Sequence, residues 1–542
     1  MRQTFNLVHE PWIPLIRSES GQREEVGLRE ALVSAHHFRA VQDPLPTAEF
    51  GLYRLLTVLV LDIFQLEDTE MLGDLLEAGE FSAARVDAYF TQWNDRFDLF
   101  SETYPFLQTA GMDAEANKPL AGLLPSIPSG TNAAHFHHAQ EGAFGVCPAA
   151  AARLLTTLAP FMTAGGAGLA PTLNGAPPWY ALILGETLFG TLCRNAFVLD
   201  RQRLALGKPA WRNDEPLNSS ERCIKADLLE GWTWRPRRIQ LVPTQLVSGQ
   251  PGSCAITGMV TPIFVQSMKF AAGASCDFTL GGWRDPQVPY KIDDKGPKVM
   301  RPQEDRQVWR DTGPLALLSK KTYKSGDATV QFARPQVIEQ WIQMIQIYDQ
   351  EKTLKLALYG MRTDLKMKVF EWYRETLSLP AELVMNGTFA GRIQAEMERA
   401  GHIAYALKRA IQKTYMREGK GNAKAFDELI AYAQRQFWND VHPAWETLLR
   451  GAAPMTPADG KAWRECQQKW WRNLSDQGKA ALGSAIGDLD SDAAALKRQV
   501  EAEQSFQTAL YIHLATDQEK TEREATRKTK KSAKQNGKGE IA

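Results

Sequence analysis

Residues 393–411 read IQAEMERAGHIAYALKRAI, and Ile393, Met397, Ala400, Ala404, Leu407 and Ile411 recur there at steps of three and four. That spacing lines them along one face of a helix, and an apolar face of this length needs partners to leave water. The chain supplies three. Phe426, Leu429, Ala433, Phe437 and Val441 repeat in the same way. After the break at Pro454 and Pro457 come Trp463, Cys466, Trp470 and Leu474, and then Leu496, Val500, Phe506, Leu510 and Leu514. Four amphipathic segments with short polar connections predict a four-helix bundle over residues 379–515. Beyond it, residues 516–542 carry Lys520, Arg523, Arg527, Lys528, Lys530, Lys531, Lys534 and Lys538 with almost nothing apolar, which predicts a disordered basic tail.

Upstream of the bundle the patterning is mixed. Strand-like pieces (Trp12–Arg17, Arg238–Val242, Ile263–Ser267) alternate with helical runs: Val26–Ala35, Thr47–Phe64, Leu75–Trp93, Ala149–Leu158 and Trp179–Phe197. Residues 354–375 read as two strands joined by a tip at Met361–Met367, with helix as the competing reading of Lys355–Tyr359. The fold class is therefore α+β: a large mixed N-terminal domain over residues 1–378, followed by the bundle. Irregular chain interrupts this domain at residues 126–148, a length that in a compact domain usually carries function or disorder.

Of 542 residues, 63 are Lys or Arg and 63 are Asp or Glu. A zero balance supplies no global field toward a polyanion, so any nucleic-acid contact has to be local or shared with basic partners. The six cysteines contain no CxxC pair, which fits neither a disulfide framework nor a zinc spacing. No stretch is apolar enough for a signal sequence or a membrane span, so a soluble cytoplasmic protein with no membrane partner is expected.

Candidate chemistry is sparse. His135, His137 and His138 form an HxHH cluster that could share a metal in a nuclease or phosphodiesterase, but no HExxH accompanies it. Histidines that contact nucleic acid or a partner are the better reading. Gly165, Gly166 and Gly168 would let backbone N–H groups approach a phosphate, yet no Gly-Lys-Ser/Thr follows, so the segment is either a turn between two helices or a surface for DNA backbone. Trp232, Trp234, Arg235, Arg237 and Arg238, with Trp283-Arg284 and Trp309-Arg310, suggest stacking on nucleic acid. The alternative is a core strand whose tryptophans point inward and whose arginines face water. No GxSxG motif or other assembled nucleophile is present, and neither enzymatic activity nor a cofactor is expected.

Taken together, FNLVHEPWIPLI at the start, LREAL, RFDLF with PFLQ, SGTNAAHFHH, GWTWRPRRI, Trp283-Arg-Asp-Pro and the closing SFQTALYIHL resemble, in order and over roughly residues 4–515, the CasA family. CasA is the large subunit of the type I-E CRISPR surveillance complex Cascade. The resemblance implies a non-catalytic subunit of a crRNA-guided assembly in antiviral defence. Such a subunit reads the protospacer-adjacent motif (PAM) in double-stranded target DNA, opens the duplex beside it and helps recruit a helicase-nuclease in trans. Its partners would be crRNA-bound Cascade subunits, target DNA and that nuclease. By the same resemblance, Asn132, His135, Phe136, His137 and His138 belong to a loop facing the crRNA handle. Gly165, Gly166 and Gly168 would meet the PAM duplex, and Lys269 would reach into its minor groove. Arg362, Thr363, Asp364, Leu365 and Lys366 occupy a wedge whose family tip can carry glutamine, and Leu365 stands in that place. A purely structural subunit of a ribonucleoprotein is the other non-enzymatic reading.

Overall fold

The computed structural model describes residues 3–112, 117–124, 144–165, 168–214, 222–245, 252–277, 283–325, 328–348, 351–364, 368–415, 426–456, 458–487 and 493–516. The chain divides into two compact units, Met1–Ser378 and Leu379–Ala542.

The first unit is built around the Pro46–Phe64 helix, which starts on a proline and ends on Gln65 in the left-handed conformation. Leu52, Leu55, Leu56, Val58, Leu59 and Leu61 leave it no wet stripe, and Thr47 through Phe64 are all buried. At Gly51 it meets the Pro148–Thr156 helix so closely that a Cβ would lie 2.4 Å from Thr156 Oγ1. Near the N-terminus, Ile13–Arg17 is the middle strand of an antiparallel sheet with Arg23–Val26 and Phe38–Val41.

Two further sheets position the functional candidates. In the first, Ile263–Ala272 runs between Asn117–Pro119 and Arg237–Gln245, antiparallel to both. In the second, Thr353–Thr363 lies between Val369–Pro380 and Tyr180–Ile183, with Leu356 opposite Ile183 and Tyr359 opposite Tyr180. The strand pair expected at 354–375 is therefore present, and its inner strand is buried from Leu356 to Met361.

Three helical expectations change in this unit. Leu75–Trp93 is two helices, Thr69–Ala78 and Ala83–Trp93, separated at Gly79, whose φ is +72°. Trp179–Phe197 is not one helix but a strand, Tyr180–Ile183, followed by a helix, Leu188–Asn195. A short, fully buried apolar run has no polar phase to separate strand from helix, so periodicity misassigned it. The chain reverses at Gly185, where a Cβ would sit 2.7 Å from the Gly190 carbonyl carbon. The glycine segment also does not join two helices: it leads from the short Leu158–Phe161 helix into the Thr172–Gly175 turn and the Tyr180–Ile183 strand.

The second unit contains the four predicted helices: Gly387–Tyr415, Asp427–Ala452, Gly460–Ile486 and Ala493–Leu514. The first packs against each of the other three. Trp445 and Trp470 meet with ring centroids 5.6 Å apart, and the buried Glu396 carboxylate accepts from Gln467 Nε2 (2.6 Å) and Trp471 Nε1 (2.7 Å). On the last helix the buried face is Ala495, Ala502, Phe506 and Leu510, whereas Leu496 and Val500 are about half exposed. The periodic stripe assigned there was thus off by part of a turn, because small alanines take the inward positions. The proposed basic tail lies outside the described residues apart from Thr516.

Candidate nucleic-acid interface

Of the expected site residues, Asn132, His135, Phe136, His137, His138, Gly166, Leu365 and Lys366 lie outside the described residues. The remainder, Gly165, Gly168, Lys269, Arg362, Thr363 and Asp364, fall in three places.

The glycine segment is closed by hydrogen bonds like the stem of a hairpin. Thr172 N donates to Met162 O (3.1 Å), and Gly165 N donates to Leu169 O (3.0 Å). Gly168 has φ +83°, a backbone that L side chains rarely adopt, and nothing lies within 4 Å of where its Cβ would be. At Gly168 the main chain thus faces open space among the described residues. Just beyond it, Asn174 joins a buried polar cluster centred on Asp285: Asn174 Nδ2 (3.1 Å), Arg54 Nη2 (2.9 Å) and Trp232 Nε1 (3.2 Å) all donate to its carboxylate. Trp283 Nε1 donates to Asn174 Oδ1 (3.1 Å).

These contacts decide the basic-aromatic segments. Trp232 closes the Leu228–Trp232 helix, and Trp232, Trp234 and Trp309 are all buried, so these tryptophans are core. Arg237 corrects the expectation of a wet face: it is 2% exposed, in phase with Ile239 and Leu241 on the inner side of its strand. Burial pushes its guanidinium down to about 10.

Lys269 lies on the central strand of the same sheet, opposite Gln240 on one side and Asn117 on the other. Its neighbour Met268 is buried, so alternation puts Lys269 on the outer face. Arg237 pairs with Ala272, three residues further along. Arg237 and Lys269 therefore alternate to opposite faces of one sheet, about 10 Å apart along the strand.

The hairpin candidates close its end. Asp364 N donates to Lys368 O (3.1 Å), and Lys368 N donates to Asp364 Oδ1 (3.1 Å). Arg362 is held by carboxylates, with Nε donating to Glu371 Oε2 (2.7 Å) and Nη1 lying 3.5 Å from Glu304, and its guanidinium carbon lies 4.7 Å from the centroid of the Phe370 ring. Burial pulls the Arg362 guanidinium down, but the Glu371 hydrogen bond and charge outweigh it and the net direction is up. Phe370 and Trp372 alternate outward and are 49% and 39% exposed, a feature the sequence reading missed although V-F-E-W-Y-R shows the alternation.

Among the described residues no group of three His, Cys, Asp or Glu could hold a metal ion. Among them too, no helix is long and apolar enough to cross a membrane.

The family model of the CRISPR-associated protein Cse1 matches residues 6–480. This chain belongs to the Cse1 family. Its similarity to a CRISPR-associated protein CasA/Cse1 of Thermus thermophilus is 28% identity over 537 residues, covering 90% of this chain and 99% of the relative. Among solved structures, Cse1 from Acidimicrobium ferrooxidans superposes with a TM-score of 0.72 at 22% identity, covering 95% of this chain and 99% of that one. A chain of a CRISPR RNA-guided surveillance complex gives 0.72 at 18% identity, covering 93% and 99%. At these identities the solved structures establish the Cse1 fold, while the family itself rests on the sequence match.

Proposed function

We propose that this Cse1-family chain is a non-catalytic, cytoplasmic subunit of a type I-E CRISPR surveillance complex, acting in antiviral defence. In that assembly it recognises the PAM in double-stranded DNA, promotes strand separation and R-loop formation, and helps recruit a helicase-nuclease. The observation that carries the reading is the glycine segment: a hydrogen-bonded stem bearing a glycine whose backbone only glycine adopts easily and whose front is open. Main chain without side chains fits a narrow minor groove, where few base-specific patterns exist and shape is read instead. Leu365, between Asp364 and the strand at Val369, is proposed as an apolar wedge, and inserted leucines are known to unstack base steps. The loop with Asn132, His135, Phe136, His137 and His138 is proposed to face the crRNA-bound partners. A neutral chain suits this division, because the guide supplies sequence and other subunits supply charge.

Lys269 discriminates the reading from a plain phosphate contact. In the reconstituted complex, Lys269→Ala is expected to weaken binding to a PAM-containing duplex about tenfold, the size of one good groove contact, with little change on a duplex lacking the PAM. Equal loss on both duplexes in a filter-binding titration at fixed salt would reduce Lys269 to a backbone contact.

A further inference from the structure

Among the described residues, Arg237 grips both arms of the glycine segment. Its Nη2 donates to Thr163 O at 2.7 Å, its Nη1 donates to Ala170 O, and the same Nη1 reaches Pro236 O at 2.8 Å. The two loop carbonyls lie seven residues apart in sequence and flank Gly165 and Gly168. The guanidinium is buried, carbonyl oxygens accept its described hydrogen bonds, and loss of solvent lowers its pKa to about 10. A cation held in that state is costly, and a merely apolar strand position would be better filled by leucine or valine. What the arginine adds is a planar fork that fixes two acceptors at a set spacing, which a lysine ammonium cannot do.

We propose that Arg237 is a positioning residue for duplex recognition: its fork clasps the Thr163 and Ala170 carbonyls and so sets how the arms bearing Gly165 and Gly168 are offered to DNA. This rests on the reading of the glycine segment given above. Arg237 does not itself meet DNA, since it sits behind the segment on the inner side of the sheet. The clasp also fixes the segment's place relative to the strand that carries Lys269, because Arg237 is paired in register with Ala272 of that strand.

The test uses the full-length chain and the reconstituted complex, with Arg237→Lys, which keeps the charge, beside Arg237→Met and Gly168→Val. Amide hydrogen exchange in peptides covering 162–172 reads the clasp, and titration with PAM and non-PAM duplexes reads recognition. For Arg237→Lys, losing one of two charge-assisted bonds predicts exchange of the Gly165 amide about tenfold faster and PAM-duplex binding weaker by a similar factor. Exchange in the Pro46–Phe64 helix and binding to non-PAM duplex should not move, which a general loss of stability would not spare. Unchanged exchange at 162–172 in both Arg237 variants overturns the clasp. A loosened segment with unchanged PAM binding overturns the positioning role: if Gly168→Val still loses PAM binding, the inference alone fails, and if it does not, the reading of the glycine segment fails with it.

Discussion

Arg54→Met is expected to destabilise the Met1–Ser378 unit by about 3 kcal/mol or more, the cost of stripping one partner from a buried ion pair. Arg54 and Asp285 side chains are 3% and 0% exposed, with Nη2 2.9 Å from Oδ2. Without the guanidinium the Asp285 carboxylate keeps Trp232 Nε1, Asn174 Nδ2 and the Gln287 amide as donors, but no countercharge. Arg54 also lies over the Phe50, Tyr180 and Trp232 rings at 4.7–5.3 Å, contacts that methionine replaces only in part. Core amides of the Pro46–Phe64 helix should then exchange on the order of 100-fold faster, provided they exchange through opening of the unit. The double variant Arg54→Met/Asp285→Asn should regain much of the loss, because it removes the stranded charge. A change below about threefold in the single variant, less than 1 kcal/mol, would mean that the cluster is not a structural keystone.

The second large effect concerns the hairpin. Replacing Asp364–Lys368 by Asn-Gly should leave the strands intact, since Thr363 and Val369 would flank a two-residue turn and the buried Leu356–Met361 stretch is untouched. The proposed wedge would be gone. Unstacking one base step costs a few kcal/mol, so PAM-dependent strand opening by the complex, followed by permanganate reactivity beside the PAM, should fall on the order of 30- to 100-fold. Binding of the crRNA-bound partners should be retained. Leu365→Ala, which shortens the wedge without removing it, should lie between the two. Opening within threefold of the parent in the Asn-Gly variant would remove the hairpin from the mechanism.

How far the sequence speaks depends on how strongly a segment's environment leaves a phase. Gly387–Tyr415 and Asp427–Ala452 have one dry side and one wet side, and their stripes were legible. Tyr180–Ile183 is buried all round and looks like any apolar run. The hairpin was legible as two runs around a polar tip. Ala495 and Ala502 are too small to outweigh Leu496 and Val500 in a hydrophobicity pattern, so the last helix was rotated. In the candidate site, the glycines and Lys269 stood out individually, but the placement of Arg237 and Lys269 on opposite faces of one sheet depends on the pairing of Arg237–Gln245 with Ile263–Ala272. Arg237 itself carried a readable signal, an arginine in step with Ile239 and Leu241. Charge argued for water, and the carbonyl acceptors Thr163, Ala170 and Pro236 explain why it is inside.

The measurement closest to the central claim is binding of the reconstituted complex to a library of duplexes randomised beside a guide-matched target, with and without this chain. The account predicts enrichment of a short motif of a few base pairs when the chain is present, and loss of that enrichment when it is omitted or carries Gly168→Val. Equal capture of all flanking sequences in its presence, or the same enriched motif in its absence, would contradict it.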